Sequence, residues 1–231
     1  MHISDKNSFF DFLAAYAEIS KTRIYRGVSS DKYKLIPSIG RKKKVNGTET
    51  LTEDDEDLIF RHFKQRSKRF LSRDYDDMNL LAIAQHHGLP TRLLDWTFNP
   101  LAAVFFAVEH EIKQPNENDK KVEHSVVHVF EKNFNIIINK DFGSIKVDKV
   151  EYFVPDYHDD RIISQNGLFT VHPYPWDKEF THKDLKKVTI ELGFRRELKN
   201  ILNRLSVNKA TLFPDLDGIS KHINWMRTSD Y

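Results

Sequence analysis

Apolar residues recur along this chain at intervals that change from one segment to the next. Between residues 7 and 20, Phe9, Phe10, Phe12, Leu13, Tyr16, Ala17 and Ile19 fall at helical spacing, which predicts an amphipathic helix capped by Ser4 or Asn7. Thr22 to Val28 is β-rich and ends at Gly27 and a serine pair, so it is predicted as a strand with Tyr25 and Arg26 on opposite faces. Residues 29–50 read as loop. The acidic turn Glu53-Asp54-Asp55-Glu56, preceded by Thr50 and Thr52, suits a helix N-terminus. That helix is expected to reach about Arg73, with Leu58, Ile59, Phe63, Phe70 and Leu71 inward. With a second helix over Asp76 to His87 it makes a helical insertion at about 51–87.

Gly88 and Pro90 then break the chain. Thr91 to Trp96 is too short for a helix and reads as a strand carrying Arg92 and Asp95. Asn99 or Thr97 caps the next helix, and Pro100 occupies its first turn, where a missing N–H costs nothing. Leu101 to Val108 is apolar nearly all round, so this helix is expected to be buried. Further on, Gln114 to Lys121 reads as an exposed loop and Glu123 to Phe130 as a strand. Asn133 to Asn139 and Val147 to Val154 read as extended. A helix from Pro155-Asp156 through Ile163 closes at Gln165-Asn166-Gly167. Strands follow at Leu168 to Val171 and Lys187 to Leu192, a helix at Arg195 to Leu205, an extended piece at Thr211 to Phe213, and a helix at Asp215 to Met226. Helices and strands interleave without a Pro/Gly/Ser-rich linker or a repeat. The expectation is one α+β domain over residues 1–231, with irregular late connections that argue against a doubly wound parallel sheet.

A hydrophobic content of 39% and a charged content of 30% are those of an ordinary globular protein. The net charge of +2 is too small to draw nucleic acid by itself, so only a local patch could do so. Two patches exist. Arg41 to Lys44 is one; Arg61, Lys64, Arg66, Lys68, Arg69 and Arg73, with no acid among them, form the other. The second either complements the helix dipole on a solvated face or, through Lys64, Arg66, Lys68 and Arg69, contacts nucleic acid. Tyr174 and Trp176 are candidates to stack a base. The absence of cysteine removes disulfides and thiolate chemistry. With no leader-like or membrane-spanning segment, a cytoplasmic location without membrane contact is expected. His86 and His87 lack a third ligand at suitable spacing, so no metal is expected. No Gly-x-Gly-x-x-Gly or Walker-type loop occurs.

Four blocks, in order, resemble one family. They are Tyr25-Arg26-Gly27, the run from Gln85 to Ala107 (Gln-His-His-Gly-Leu-Pro-Thr-Arg-Leu-Leu-Asp-Trp-Thr and onward), Arg161 to Phe169, and Ala210 to Gly218. Together they are similar to the FRG domain, over roughly residues 20–222. The block order in turn resembles the ADP-ribosyltransferase fold, which implies a split, mixed β-sheet that clamps NAD, with flanking helices. In that resemblance Arg26 stands for the arginine of the first core strand, and Thr97 precedes the apolar helix. The third element departs from the pattern. A Glu is expected just before the Thr211-Leu212-Phe213-Pro214 run, but Lys209 and Ala210 stand there, with Asp215 and Asp217 beyond. An Asp takes the role, an acid from elsewhere does, or the activity is absent.

The resemblance implies an NAD-dependent ADP-ribosyltransferase acting as a toxin or phage-defence effector. The acceptor would be RNA, which is favoured, or protein, and a neutralising antitoxin protein is a further implied partner. Breaking the nicotinamide–ribose bond develops positive charge on the ribose, as in glycoside cleavage. It needs a cation for the pyrophosphate, a flat surface for nicotinamide, a carboxylate near the ribose and a positioned acceptor. Arg26 would supply the fork, Asp215 the carboxylate and His86 the base. Around the NAD co-substrate would stand Tyr25, Gly27, Arg92, Asp95, Trp96, Thr97, Gln165 and Phe169. Each has a plainer role available: Arg92 and Asp95 in ion pairs, Trp96 in the core, Gln165 at a helix end. A non-catalytic nucleotide- or nucleic-acid-binding module and an NAD glycohydrolase are the competing readings.

Overall fold

A computed structural model describes residues 1–16, 22–110, 124–131, 137–138, 145–156 and 160–228. The predicted loop at 114–121, most of the extended piece at 133–139 and the end of the first predicted helix lie outside them. Strand β1 (His2–Ile3) leads into α1 (Lys6–Ala15). The cap of α1 is neither Ser4 nor Asn7 but Asp5, whose carboxylate accepts from the Ser8 amide at 2.8 Å while Ser8 Oγ returns the bond to the Asp5 N–H. Strand β2 (Arg23–Val28) follows the β-rich run. Helix α2 (Glu53–Ser67) starts at Thr52, capped reciprocally with Asp55, and passes into a single 3-10 turn. It ends earlier than its charge pattern suggested. Leu58 and Phe70 are exposed, and Glu56 and Phe60 face inward instead.

After α3 (Asp77–His86) come β3 (Leu93–Thr97) and α4 (Pro100–Val108), the latter with Asn99 as cap and Pro100 in the first turn. Then follow β4 (Ser125–Glu131), β5 (Ile137–Ile138), β6 (Glu151–Val154), α5 (Asp160–Gln165) and β7 (Gly167–Val171). Asn166, between α5 and β7, takes φ 48°, as its Asn-Gly signal foretold. The chain closes with β8 (Leu185–Ile190), α6 (Arg195–Arg204), α7 (Lys209–Leu212) and α8 (Leu216–Thr228). Residues 211–213 were expected to be extended. Thr211 and Leu212 belong instead to the helical turn α7, with Phe213 as its C-cap, because Asn208 accepts from the Thr211 amide at 3.1 Å and Thr211 Oγ1 accepts from the Asn208 N–H at 3.0 Å.

All eight described strands lie in one mixed sheet, ordered β1-β8-β4-β2-β3-β7-β6-β5. The outer pairs β1/β8 and β5/β6 are parallel and the others antiparallel. This is an α+β arrangement on a single sheet. β2 pairs with β4 along its whole length and β3 with β7 along its whole length. Yet β2 and β3 meet at one position only, Tyr25 opposite Thr97. The sheet is therefore split at its centre.

The split divides the core on one face. Tyr25, Val127, Val129 and Val188 pack with Phe9, Phe12, α4 and Leu198. On the other half Leu93, Phe153, Phe169 and Val171 pack with Phe60 of α2 and Met78, Leu81 and Ala82 of α3. The 51–87 helices thus cover half of the sheet. On the opposite face Ile24, Phe130, Leu94, Trp96 and Leu168 make one cluster across both halves, sealed by Leu35 and Phe180. One face stitches the halves together while the other leaves a gap between α3 and α4.

Candidate functional site

The gap opens into a cleft of about 500 Å³, within the usual range for small-molecule sites. β2, β3, the loop after β2, the ends of α3 and α4, α5 and Phe213 line it. Arg26 crosses the split: its Nη1 donates to the Asp95 carbonyl at 2.6 Å and to Asp95 Oδ2 at 3.2 Å. Its Nε is buried with no hydrogen-bond partner. Asp95, exposed, also accepts from Gln85 Nε2 at 2.6 Å, so one carboxylate joins β2, β3 and α3. Thr97 is buried. Its hydroxyl donates to the Gln165 carbonyl at 2.6 Å and accepts from the Asn99 N–H at 2.9 Å, which ties β3, α4 and α5 together. Gln165 Nε2 donates to the Leu212 carbonyl at 2.9 Å.

Several expected residues serve elsewhere. Arg92 does not reach the cleft: it is wholly buried, its Nε 3.0 Å from both Glu56 oxygens, and its guanidinium lies 5.2 Å from the Trp176 ring centroid. A buried charge needs such a partner, and Glu56, 36 residues away, supplies it. Trp176 is correspondingly buried rather than exposed, with Nε1 donating to the His172 carbonyl at 3.3 Å; Tyr174 is the exposed one of the pair. Trp96 borders the cleft, but its ring is buried beside Phe130 and Phe180, with Nε1 donating to Thr170 Oγ1 at 3.0 Å. Tyr25 and Phe169 border the cleft from the core, Phe169 stacked on Phe153.

Asp215 is not among the lining residues. It accepts from the Gly218 amide at 2.7 Å and from Arg161 Nε at 2.8 Å; these bonds, the amide's first, hold its carboxyl below the usual range. Arg161 lines the cleft, so Asp215 supports it from behind. A guanidinium only donates, so His86 Nε2, 3.2 Å from Arg161 Nη1, accepts from it. That lone pair is engaged and not offered to a substrate. Lys64 is paired with Asp77 at the start of α3, whereas Gln85 and His86 border the cleft at its end. The 64–69 patch is thus about 12 Å of helix away.

The cleft also holds Lys34 and Glu109, which were not singled out, and Arg41, expected only as part of a basic loop tip. Lys34 and Arg41 bring positive charge from the loop after β2. Burial first, then the neighbouring Arg26, pull the Arg41 pKa down while Asp95 opposes them. Glu109 is the second carboxylate of the cleft, paired with Lys209. Arg195 is buried and donates to the carbonyls of Ser29 and His110 and to Ser125 Oγ, which fixes the ends of β2, α4 and β4. Spacing could have flagged Arg161, one turn before Gln165 on the same helix face. Glu109 also carried a signal, because a carboxylate ending a helix opposes the dipole and calls for a cation.

Residues 21–134 match the FRG domain family. No curated protein and no solved structure matched the chain. The FRG segment brings β2, α2, α3, β3, α4 and β4, and so both sides of the split, together with Arg26, Gln85, Asp95, Thr97 and Glu109. Arg161, Gln165 and Phe213 close the cleft from beyond the FRG segment. Among the described residues no cluster of three His, Asp or Glu could hold a metal, and no helix is long and apolar enough to cross a membrane.

His128, opposite Arg26 on β4, and His172 are buried beneath the split. Burial is the largest cause for both; Lys187 and then Arg26 add to it at His128, and Arg26 at His172, so that each pKa is pushed down to about 4. In an unfolded chain both titrate near 6.5. The folded state therefore binds fewer protons. Its stability is complete above about pH 6.5 and falls as the pH drops toward 4. At pH 5 the expected loss is about 2 kcal/mol per histidine. Urea unfolding at pH 7.5 and pH 5 measures it, and a His128→Gln variant with an undiminished slope would show that His128 takes no part.

Proposed function

We propose that this protein binds NAD in the cleft, breaks the nicotinamide–ribose bond and transfers ADP-ribose to an acceptor, as the ADP-ribosyltransferases that its motif order resembles do. The observation that supports this most is the split between β2 and β3 bridged by Arg26. It leaves a cleft where cationic forks and carboxylates face each other. In this reading Arg26, Arg41 and Lys34 hold the pyrophosphate, with Arg161 braced by Asp215 and His86. Asp95 and Glu109, the carboxylates that line the cleft, face the charge developing on the ribose. The C–N bond breaks with its electron pair going to nicotinamide, and an acceptor oxygen or nitrogen bonds to the ribose carbon and gives up its proton. His86 orients Arg161 rather than removing that proton.

One observation favours a second reading. Lys209 stands where the resemblance expects a glutamate, on a helical turn rather than a strand. A non-catalytic nucleotide-binding module would tolerate that change. Incubation with NAD labelled in its ADP-ribose part, alone, with total RNA or with a protein extract, separates the readings. Label on RNA is the expected result. Label on protein keeps the transferase and changes the acceptor; nicotinamide release without transfer makes it a glycohydrolase. NAD left intact in every mixture overturns the enzyme and leaves the binding module. Action as a toxin or defence effector, with an antitoxin as partner, belongs to the same proposal. Growth arrest on expression that Arg26→Ala abolishes would support it.

A further inference from the structure

A second cavity of about 300 Å³ lies behind the Glu109–Lys209 ion pair, among the end of α4, α6, α7 and α8. Glu109 and His110 border both cavities, so the pair stands in the wall between them. Its chemistry differs from that of the cleft. Lys199, Lys209 and Lys221 face a single carboxylate, Glu109, whose charge Lys209 already answers. Beside these ammonium groups is a half-buried aromatic surface: Trp225 and His222 lie 5.8 Å apart with their planes 25° from parallel. Lys199 Nζ stands over the Trp225 ring, 5.0 Å from its centroid, and donates to the Glu109 carbonyl at 3.0 Å. Asn203 and Asn208 add amide groups at the rim.

We propose that this cavity holds one nucleotide unit of a single-stranded nucleic acid, its base against Trp225 and His222 and its phosphate among Lys199, Lys209 and Lys221. Ammonium groups alone would attract any polyanion, and an aromatic ring alone any flat apolar group. Their combination, with amides at the rim, is the chemistry of a nucleotide. An entering base displaces the Lys199 ammonium from the ring face toward the phosphate that arrives with the base. Burial first and then Lys199 lower the His222 pKa, and its ring adds a π face beside Trp225. Lys221, His222 and Trp225 lie at i, i+1 and i+4 of α8, so Lys221 and Trp225 share one face. Such a site would seat an acceptor strand one ion pair away from the cleft. That placement as acceptor rests on the transferase reading, whereas the binding does not.

Tryptophan fluorescence provides the test. Of the three tryptophans, Trp96 and Trp176 are each 3% exposed, which leaves Trp225 to report. A short single-stranded RNA is expected to quench the emission, and inorganic polyphosphate to leave it unchanged. With an end-labelled RNA, Trp225→Ala should bind about tenfold more weakly, the loss of one stacked base. Lys221→Gln, an exposed change that spares the fold, should weaken binding and lower the salt slope by about 1. Equal quenching by polyphosphate would overturn the base-stacking role. RNA binding that Lys64→Gln and Arg66→Gln weaken, while Trp225→Ala and Lys221→Gln do not, would place the strand on α2 and overturn the site. If NAD is consumed while RNA fails to quench, the site falls and the cleft reading stands. Quenching without NAD consumption supports the site and removes the transferase.

Discussion

Gly27→Ala is expected to lower stability by about 3 kcal/mol or more, at or beyond the upper end of the usual cost of overpacking. An added Cβ would lie 1.8 Å from the Ala103 carbonyl oxygen, 2.9 Å from its carbon and 2.7 Å from the Ala107 nitrogen, all backbone of α4. No rotamer change relieves such a clash; the helix itself must withdraw from β2. Helix α4 carries Ala102, Ala103, Val104, Phe105, Ala107 and Val108 into the larger core cluster, so its withdrawal loosens that whole half. For a domain of this size the melting temperature should fall by about 6–12 °C. An unchanged melting temperature would show that α4 does not sit this close. Within Tyr25-Arg26-Gly27 the glycine thus serves the approach of a helix to a strand. Gly27 also borders the cleft, where the resemblance placed it around NAD.

The same contrast runs through the site. Local signals were legible where the physics is local. Asn99 caps α4 with Pro100 behind it, Asn166 takes a positive φ, and Tyr25 packs into the α4 core while its neighbour Arg26 reaches Asp95. The single contact between β2 and β3 is not a local property; it follows from how two halves of a sheet diverge. Pairings across long separations were equally hidden. Nothing near Arg92 names Glu56, and nothing near Asp215 names Arg161, 54 residues away. Aromatic residues misled in both directions. Trp176 follows a polar, proline-rich turn yet is buried against Arg92, whereas Phe70 sits at helical spacing yet is exposed because α2 gives way to a 3-10 turn before it. Thr211 was expected to be extended, while the deciding cap, Asn208, stands three residues before it. The positive surface that matters to the cleft likewise came from Arg41, at the edge of a loop tip, rather than from the longer run on α2.

Arg26→Ala is expected to reduce NAD cleavage by about 10²–10³-fold, the usual loss when a preorganised donor is removed from a site of developing charge. The fold should survive, because Arg26 belongs to none of the apolar clusters and its interactions end on Asp95 at the cleft. Arg26→Lys keeps the charge but not the fork that reaches the Asp95 carbonyl and carboxylate together, so it should recover little of the rate. Loss of catalysis could also follow from a disturbed cleft, and an independent readout tells the two apart. Arg26 helps to push the His128 and His172 pKa values down, so its removal should raise both toward 6.5 while burial still holds them below it. The acid-induced loss of stability between pH 6.5 and pH 5 should then become shallower, since the folded and unfolded proton affinities draw closer. A variant that cleaves NAD as fast as the parent would remove Arg26 from the chemistry. One that loses cleavage and leaves the histidine titrations unmoved would show that the guanidinium does not lie over the split, so that the loss reflects a rearranged cleft.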